Sequence, residues 1–229
     1  MGFLDKFKKK SKNENLPLVL YDEDELDVIE GHISKYFGSY DSVFHEIYSP
    51  DIHLDVVRID PTAERNYYTF VTMGAGAYKM NLPEGAEIPN RAEYLITLPP
   101  DWDLENTDDI RNYWPIGFLK TIARMPINYD TFLAYGHTAS DNKENAPFAD
   151  NTQLCSIALA YPEQFDFAGL TATLPNGEGV IFYQMIPLYE DELEFKMQCE
   201  GGMEEFEEYL GDVIVSPLDI NRPSCVPKE

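Results

Sequence analysis

YYTFVTM at residues 67–73 and RAEYLITL at residues 91–98 decide the fold. The first is dense in aromatic and β-branched side chains, which suit a pleated, half-buried surface. The second alternates, with Ala92, Tyr94, Ile96 and Leu98 on one side, and Pro99-Pro100 ends it. Further strands are expected at Val43–Tyr48, His53–Ile59, Thr131–Tyr135, Gln153–Ala160 and Val180–Leu188. Helical spacing predicts a helix over Glu23–Phe37, with Leu26, Ile29, Ile33, Tyr36 and Phe37 on one face. Asp22 and Glu25 can form its capping box, and Gly38 can stop it. A second helix is expected over Pro115–Arg124, opened by Pro115 and closed before Pro126. Met203–Leu210 reads as a third, with Phe206 and Leu210 inward, while Glu190–Phe195 is mixed. Strands outnumber helices and do not alternate with them. The expected class is therefore α+β, a mostly antiparallel twisted sheet with helices packed on it.

The length of 229 residues suits one domain, and 44% hydrophobic with 13% aromatic residues suits a packed core. Residues 1–15 read as a basic flexible tail and 16–229 as the folded domain. The tail holds Lys6, Lys8, Lys9, Lys10 and Lys12, and beyond residue 12 the chain carries 12 bases against 40 acids. So acidic a body repels phosphate backbones, which argues against nucleic acid as a partner and for a basic protein. Phe3, Leu4 and Phe7 beside the lysines give one short cluster, too little for stable membrane association. No apolar run approaches the roughly 18 residues needed to span a bilayer. MGFLDKFKKK lacks an apolar signal-peptide core, and Cys155, Cys199 and Cys225 form no CxxC pair. A reducing, cytoplasmic location is the expectation.

Chemistry-bearing motifs are scarce. Met73-Gly74-Ala75-Gly76 has no third glycine at phosphate-loop spacing and reads as a turn. The four histidines show no zinc-ligand spacing, so neither a metal nor a cofactor is expected. His32 sits on the polar side of the first helix, as plain surface. His137, in Tyr135-Gly136-His137-Thr138, is the one candidate base, with Ser140 or Cys155 as nucleophile; a loop-holding histidine is the simpler interpretation. Acids cluster late: Glu190, Asp191 and Glu192, then Glu204, Glu205, Glu207 and Glu208 around the last helix. They form a solvated negative face that can also greet a basic partner.

Several pieces in one order resemble the Suppressor of Fused family. They are HLDVVRI at 53–59, YYTFVTMG at 67–74, RAEYLITLP at 91–99, Trp114-Pro115-Ile116 and Tyr135-Gly136-His137-Thr138. Pro147-Phe148, FYQMIPL at 182–188, Glu192-Leu193-Glu194 and Asp219-Ile220-Asn221-Arg222 complete the set. The likeness is to bacterial members and to the N-terminal domain of the animal protein, and it implies an α+β fold with no catalytic centre or cofactor. Bacterial members resemble immunity proteins that neutralise polymorphic toxins, which implies a non-enzymatic binding protein; together with the net charge this makes Glu190, Asp191, Glu192, Glu204, Glu205, Glu207 and Glu208 the candidates to face a basic toxin. Alternatives are a scaffold that binds an extended peptide at a sheet edge, and a hydrolase using His137. Among the family-motif residues, Tyr68 and Trp114 are expected in the core, and Asp219 and Arg222 to pair with each other or with backbone groups.

Overall fold

The computed structural model describes residues 18–46, 48–140 and 144–227. The expected tail over residues 1–15 lies outside them. Among the described residues an eight-stranded sheet forms from β1 (Ser42–Phe44), β2 (Asp55–Ile59), β3 (Tyr68–Met73), β4 (Arg91–Leu98), β5 (Thr138–Ala139), β6 (Ser156–Ala160), β7 (Thr171–Thr173) and β8 (Gly179–Leu188). The order is β1-β2-β3-β4-β8-β6-β5, with β7 paired to β8. Every pairing is antiparallel except β4 with β8, which run parallel from Arg91 opposite Val180 to Leu95 opposite Gln184. The helices are α1 (Glu23–Tyr36), α2 (Ile110–Tyr129), α3 (Glu190–Lys196) and α4 (Gly202–Leu210). The α+β architecture is the one expected.

The period-2 alternation of β4 and β8 sorts side chains onto two covered faces. Tyr94, Ile96, Tyr183 and Met185 share one core with Trp114, Phe118, Leu119 and Ile122 of α2. Leu95, Val180 and Phe182 meet Ile29, Ile33 and Phe37 of α1 on the other. Ile186 and Leu188 meet Met203, Phe206 and Leu210 of α4. The capping box of Asp22 and Glu25 opens α1 as expected.

Several boundaries differ from expectation. α2 starts at Ile110, because Asp109 accepts from the Arg111 N–H, and it runs through Pro126 to Tyr129. Its long apolar face on the sheet outweighs the backbone bonds that Pro115 and Pro126 cannot make. Thr131–Tyr135 is not a strand; it follows the left-handed Asp130 (φ 51°) as irregular chain, and pairing begins only at β5. Glu190–Lys196 is helical, because Glu192 folds back to accept from the Tyr189 N–H at 2.9 Å. His32 is not plain surface: its ring stacks on Phe182 at 5.0 Å, and its Nε2 lies 2.8 Å from the Gly169 carbonyl.

Gly74 leads into a single 3-10 turn over Ala75–Ala77, and the turn holds a buried carboxyl group. Glu93, fully buried on β4, accepts from the N–H groups of Gly74 (2.9 Å) and Gly76 (3.0 Å), from Thr72 Oγ1 (2.5 Å) and from the Tyr21 hydroxyl (2.9 Å). Burial pushes this carboxyl up from its ordinary range, and the Thr72, Gly76, Gly74 and Tyr21 donors pull against that. At Gly74 (φ +123°) a Cβ would stand 2.0 Å from the His53 carbonyl oxygen, so only glycine fits. Tyr21 thereby ties the chain before α1 to the centre of the sheet. Glu93→Leu strands several buried donors, each costing about 1–3 kcal/mol. A urea midpoint should therefore fall much further for Glu93→Leu than for Tyr21→Phe, which removes a single donor.

Candidate protein-binding face

Beyond Leu95 and Gln184 the parallel strands have no further mutual pairing: β4 continues beside β3 and β8 beside β6. The chain after α4 crosses this opening. The Leu218 N–H donates to the Thr97 carbonyl at 2.9 Å, and Gln184 Nε2 donates to the Ile214 carbonyl at 2.8 Å. A cavity of about 220 Å³ remains between Ile96, Met185, Pro187, Leu218 and Arg222. Arg222 closes the segment. Its guanidinium grips both oxygens of Glu192, with Nη2 to Oε2 at 2.7 Å, donates to the Pro187 carbonyl at 2.9 Å, and lies over the Tyr189 ring at 5.0 Å. The Tyr189 hydroxyl donates to the Arg222 carbonyl at 2.6 Å, and the Cys225 N–H donates to Glu192 at 2.9 Å.

Burial opposes ionisation of Glu192, but Arg222 and the Cys225 and Tyr189 N–H groups outweigh it and hold the carboxyl below its usual range. The same surroundings, burial first and then Glu192, push the Cys225 thiol up to about 12. Glu192 therefore does not belong to the acidic face expected of it: it is fully buried, and its charge is spent on Arg222. Asp219 and Arg222 do meet backbone groups: the Arg222 N–H donates to the Asp219 carbonyl at 3.4 Å, while the Arg222 guanidinium turns to Glu192 and the Pro187 carbonyl rather than to the Asp219 carboxylate. Asp219 accepts from the Asn221 N–H at 2.8 Å as a local turn.

The other acids spread over the α3–α4 hairpin. Glu190, Asp191, Glu204 and Glu208 are exposed. Asp191 accepts from Ser224 Oγ at 2.7 Å. Glu205, half-buried, caps the Gly201 N–H at 2.8 Å. Glu207 is also half-buried and accepts from the Tyr135 hydroxyl at 2.7 Å. Burial raises its carboxyl, the Tyr135 bond opposes this, and Glu163 and Glu204 add repulsion. Tyr135 in turn stacks on Tyr161 at 4.5 Å. Lys196 of α3 donates to the Gly136 carbonyl at 2.6 Å. The motif loop Tyr135–Thr138 and the acidic hairpin, remote in sequence, are thus one piece of surface.

His137 lies within that piece. Burial and then Lys196 lower its pKa, and a bond with the Phe132 backbone pulls the other way. Its ring sits 4.9 Å from that of Phe132. Cys155 is buried at the start of β6, with its Sγ 3.9 Å from the Leu188 carbonyl. Tyr68 packs beside Phe70 at 6.2 Å, and Trp114 stacks on Phe148 at 4.7 Å, both in the main core. His45 and His53 meet at Asp55, at 3.0 and 3.7 Å. Among the described residues no group of three metal-ligating side chains is placed to hold an ion. No helix among them is long and apolar enough to cross a membrane.

The family model for Suppressor of fused protein matches residues 50–223. The chain belongs to the Suppressor of fused family. The family stretch takes in β2 through β8, the α3–α4 hairpin and Arg222. No curated protein matches. Among solved structures, the chain resembles a putative Suppressor of fused homologue from Neisseria gonorrhoeae at TM-score 0.64 and 19% identity, over 91% of this chain and all of that one. It resembles a chain of a Sufu–Fu complex at TM-score 0.62 and 16% identity, over 90% and 93%. Drosophila Suppressor of Fused matches at TM-score 0.55 and 16% identity, with 88% of this chain covering 51% of that one.

Arg222→Leu leaves Glu192 buried and unpaired, so a loss of about 3–5 kcal/mol is expected in chemical unfolding. Because Glu192 titrates lower in the folded chain than in the unfolded one, its contribution is complete above the unfolded value of about 4.3. It disappears as pH falls through the folded value. Protection of the Cys225 amide, its exchange rate taken relative to the intrinsic rate at the same pH, should therefore fall as pH drops below the unfolded carboxyl value, and at neutral pH in Arg222→Leu.

Proposed function

We propose that this member of the family is a non-enzymatic, cytoplasmic protein-binding domain. In its most specific form it is an immunity protein that neutralises a basic toxin domain by covering it. One observation carries this: residues 190–212 hold ten acids and one lysine, on a hairpin fixed to the body by Arg222–Glu192 and Lys196–Gly136. The hairpin's exposed charge meets the partner without reorganisation. Like-signed carboxylates raise the encounter rate with a cation and repel anions. Glu190, Asp191, Glu204, Glu205, Glu207 and Glu208 are the contact acids. The likeness to a chain solved in a Sufu–Fu complex supports a protein as the partner. The surroundings of His137, a ring, a backbone carbonyl and a lysine, support a site without turnover.

The second possibility is addition of an extended peptide at a sheet edge, and it draws on β1 and β5, which lie at the two ends of the strand order. Salt separates the two. From about 0.01 M to about 1 M the screening length falls from about 30 Å to about 3 Å. Charge-led capture should slow by about tenfold or more over that range, whereas main-chain strand addition should hardly change.

Co-expression with the toxin encoded beside this chain should restore growth and give a complex on size exclusion. Glu204→Lys with Glu208→Lys should slow association and leave the unfolding midpoint in place. Undiminished toxicity with no complex rejects the immunity role.

A further inference from the structure

The α3–α4 hairpin carries more than charge. Phe195 of α3 and Tyr209 of α4 meet edge to face across it at 4.8 Å, yet Tyr209 stays 41% exposed. Met197, the residue that caps α3, is 68% exposed. Both apolar side chains have acids as helical neighbours: Glu205 lies four residues before Tyr209, and Glu194 three before Met197. Asp212 and Glu200 stand three residues beyond each. Lys196, the stretch's one base, points inward to the Gly136 carbonyl. An exposed aromatic and an exposed methionine on one acid-rich hairpin match the composition of a binding centre with a polar rim.

Resting on the reading above that the partner is basic, we propose that Tyr209 and Met197 are the apolar anchors of the partner site. The occupant is an amphipathic basic segment of the partner protein, with aliphatic or aromatic side chains flanked by lysine or arginine. Charge complementarity fixes this choice, because an apolar segment flanked by acids would meet the like charges of the hairpin's remaining acids, Glu192 being buried against Arg222. The carboxylates set the rate of encounter, and the two anchors set the lifetime of the complex.

The test needs no toxin. Two labelled synthetic peptides of equal charge serve as probes: leucine and lysine patterned as an amphipathic helix, and the same pattern with serine for leucine. The full chain should bind the leucine peptide at least tenfold more tightly by fluorescence anisotropy. Tyr209→Ala with Met197→Ala should abolish that preference and keep the weak serine-peptide binding. Phe167→Ala, at a still more exposed aromatic outside the hairpin, should leave it intact. Equal affinity for the two peptides overturns the proposal, as does a preference that survives the double substitution. Self-association that the double substitution removes assigns the face to a second copy and also overturns it. A toxin that fails to bind leaves this measurement untouched. A failed peptide preference leaves neutralisation standing on another surface.

Discussion

Parallel pairing of β4 with β8 is the constraint on which the molecule depends. Two parallel neighbours cannot be joined by a tight turn. The chain between Leu98 and Gly179 must leave the sheet and return, and it uses that excursion to lay α2 over one face and to supply β5, β6 and β7. Because β6 and β7 both attach to β8, that strand is paired along nearly its whole length and has no exposed residue. β8 is thus the spine on which three cores meet.

The same constraint creates the place where the α3–α4 hairpin is mounted. Where β4 and β8 cease to pair, polar backbone must be satisfied by something else. The segment after α4 does this through Thr97, Gln184 and Pro187, and it then fixes the base of α3 through Arg222. A buried ion pair of this kind is a poor source of net stability but a good source of a single geometry. The hairpin's position follows from the Glu192–Arg222 fork, the Lys196 bond to Gly136 and the Tyr135 bond to Glu207. The family motifs Tyr135–Thr138, Glu192–Glu194 and Asp219–Arg222 therefore describe how the hairpin is held.

Most of the strands, α1, α4 and the fold class were legible in the sequence, because alternation and helical spacing report directly on which side chains leave water. Charged residues were harder. Glu93 sits in an alternating strand on the polar phase, and nothing local says that this phase is also buried; that follows only once α1 and Tyr21 cover it. Glu192 was placed with its acidic neighbours because its partner lies thirty residues away. The extent of α2 was underread because proline signals a local break, while the tertiary face that overrides it is non-local. The meeting of the Tyr135–Thr138 loop with the α4 acids likewise depends on β5 docking on β6. The resemblance carried by the motifs was sound at the level of family.

The turn at Gly74–Gly76 has a chemical consequence. Convergent main-chain N–H groups of this sort are what nucleotide-binding proteins offer to a phosphate. Here that receptor is occupied by a tethered guest, the Glu93 carboxyl group, delivered by β4. An attached ligand competes at an effective concentration in the millimolar range or above, and this one is also sealed from solvent. Dissolved phosphates and nucleotides are shut out of it, so the loop's glycines serve self-recognition within the fold.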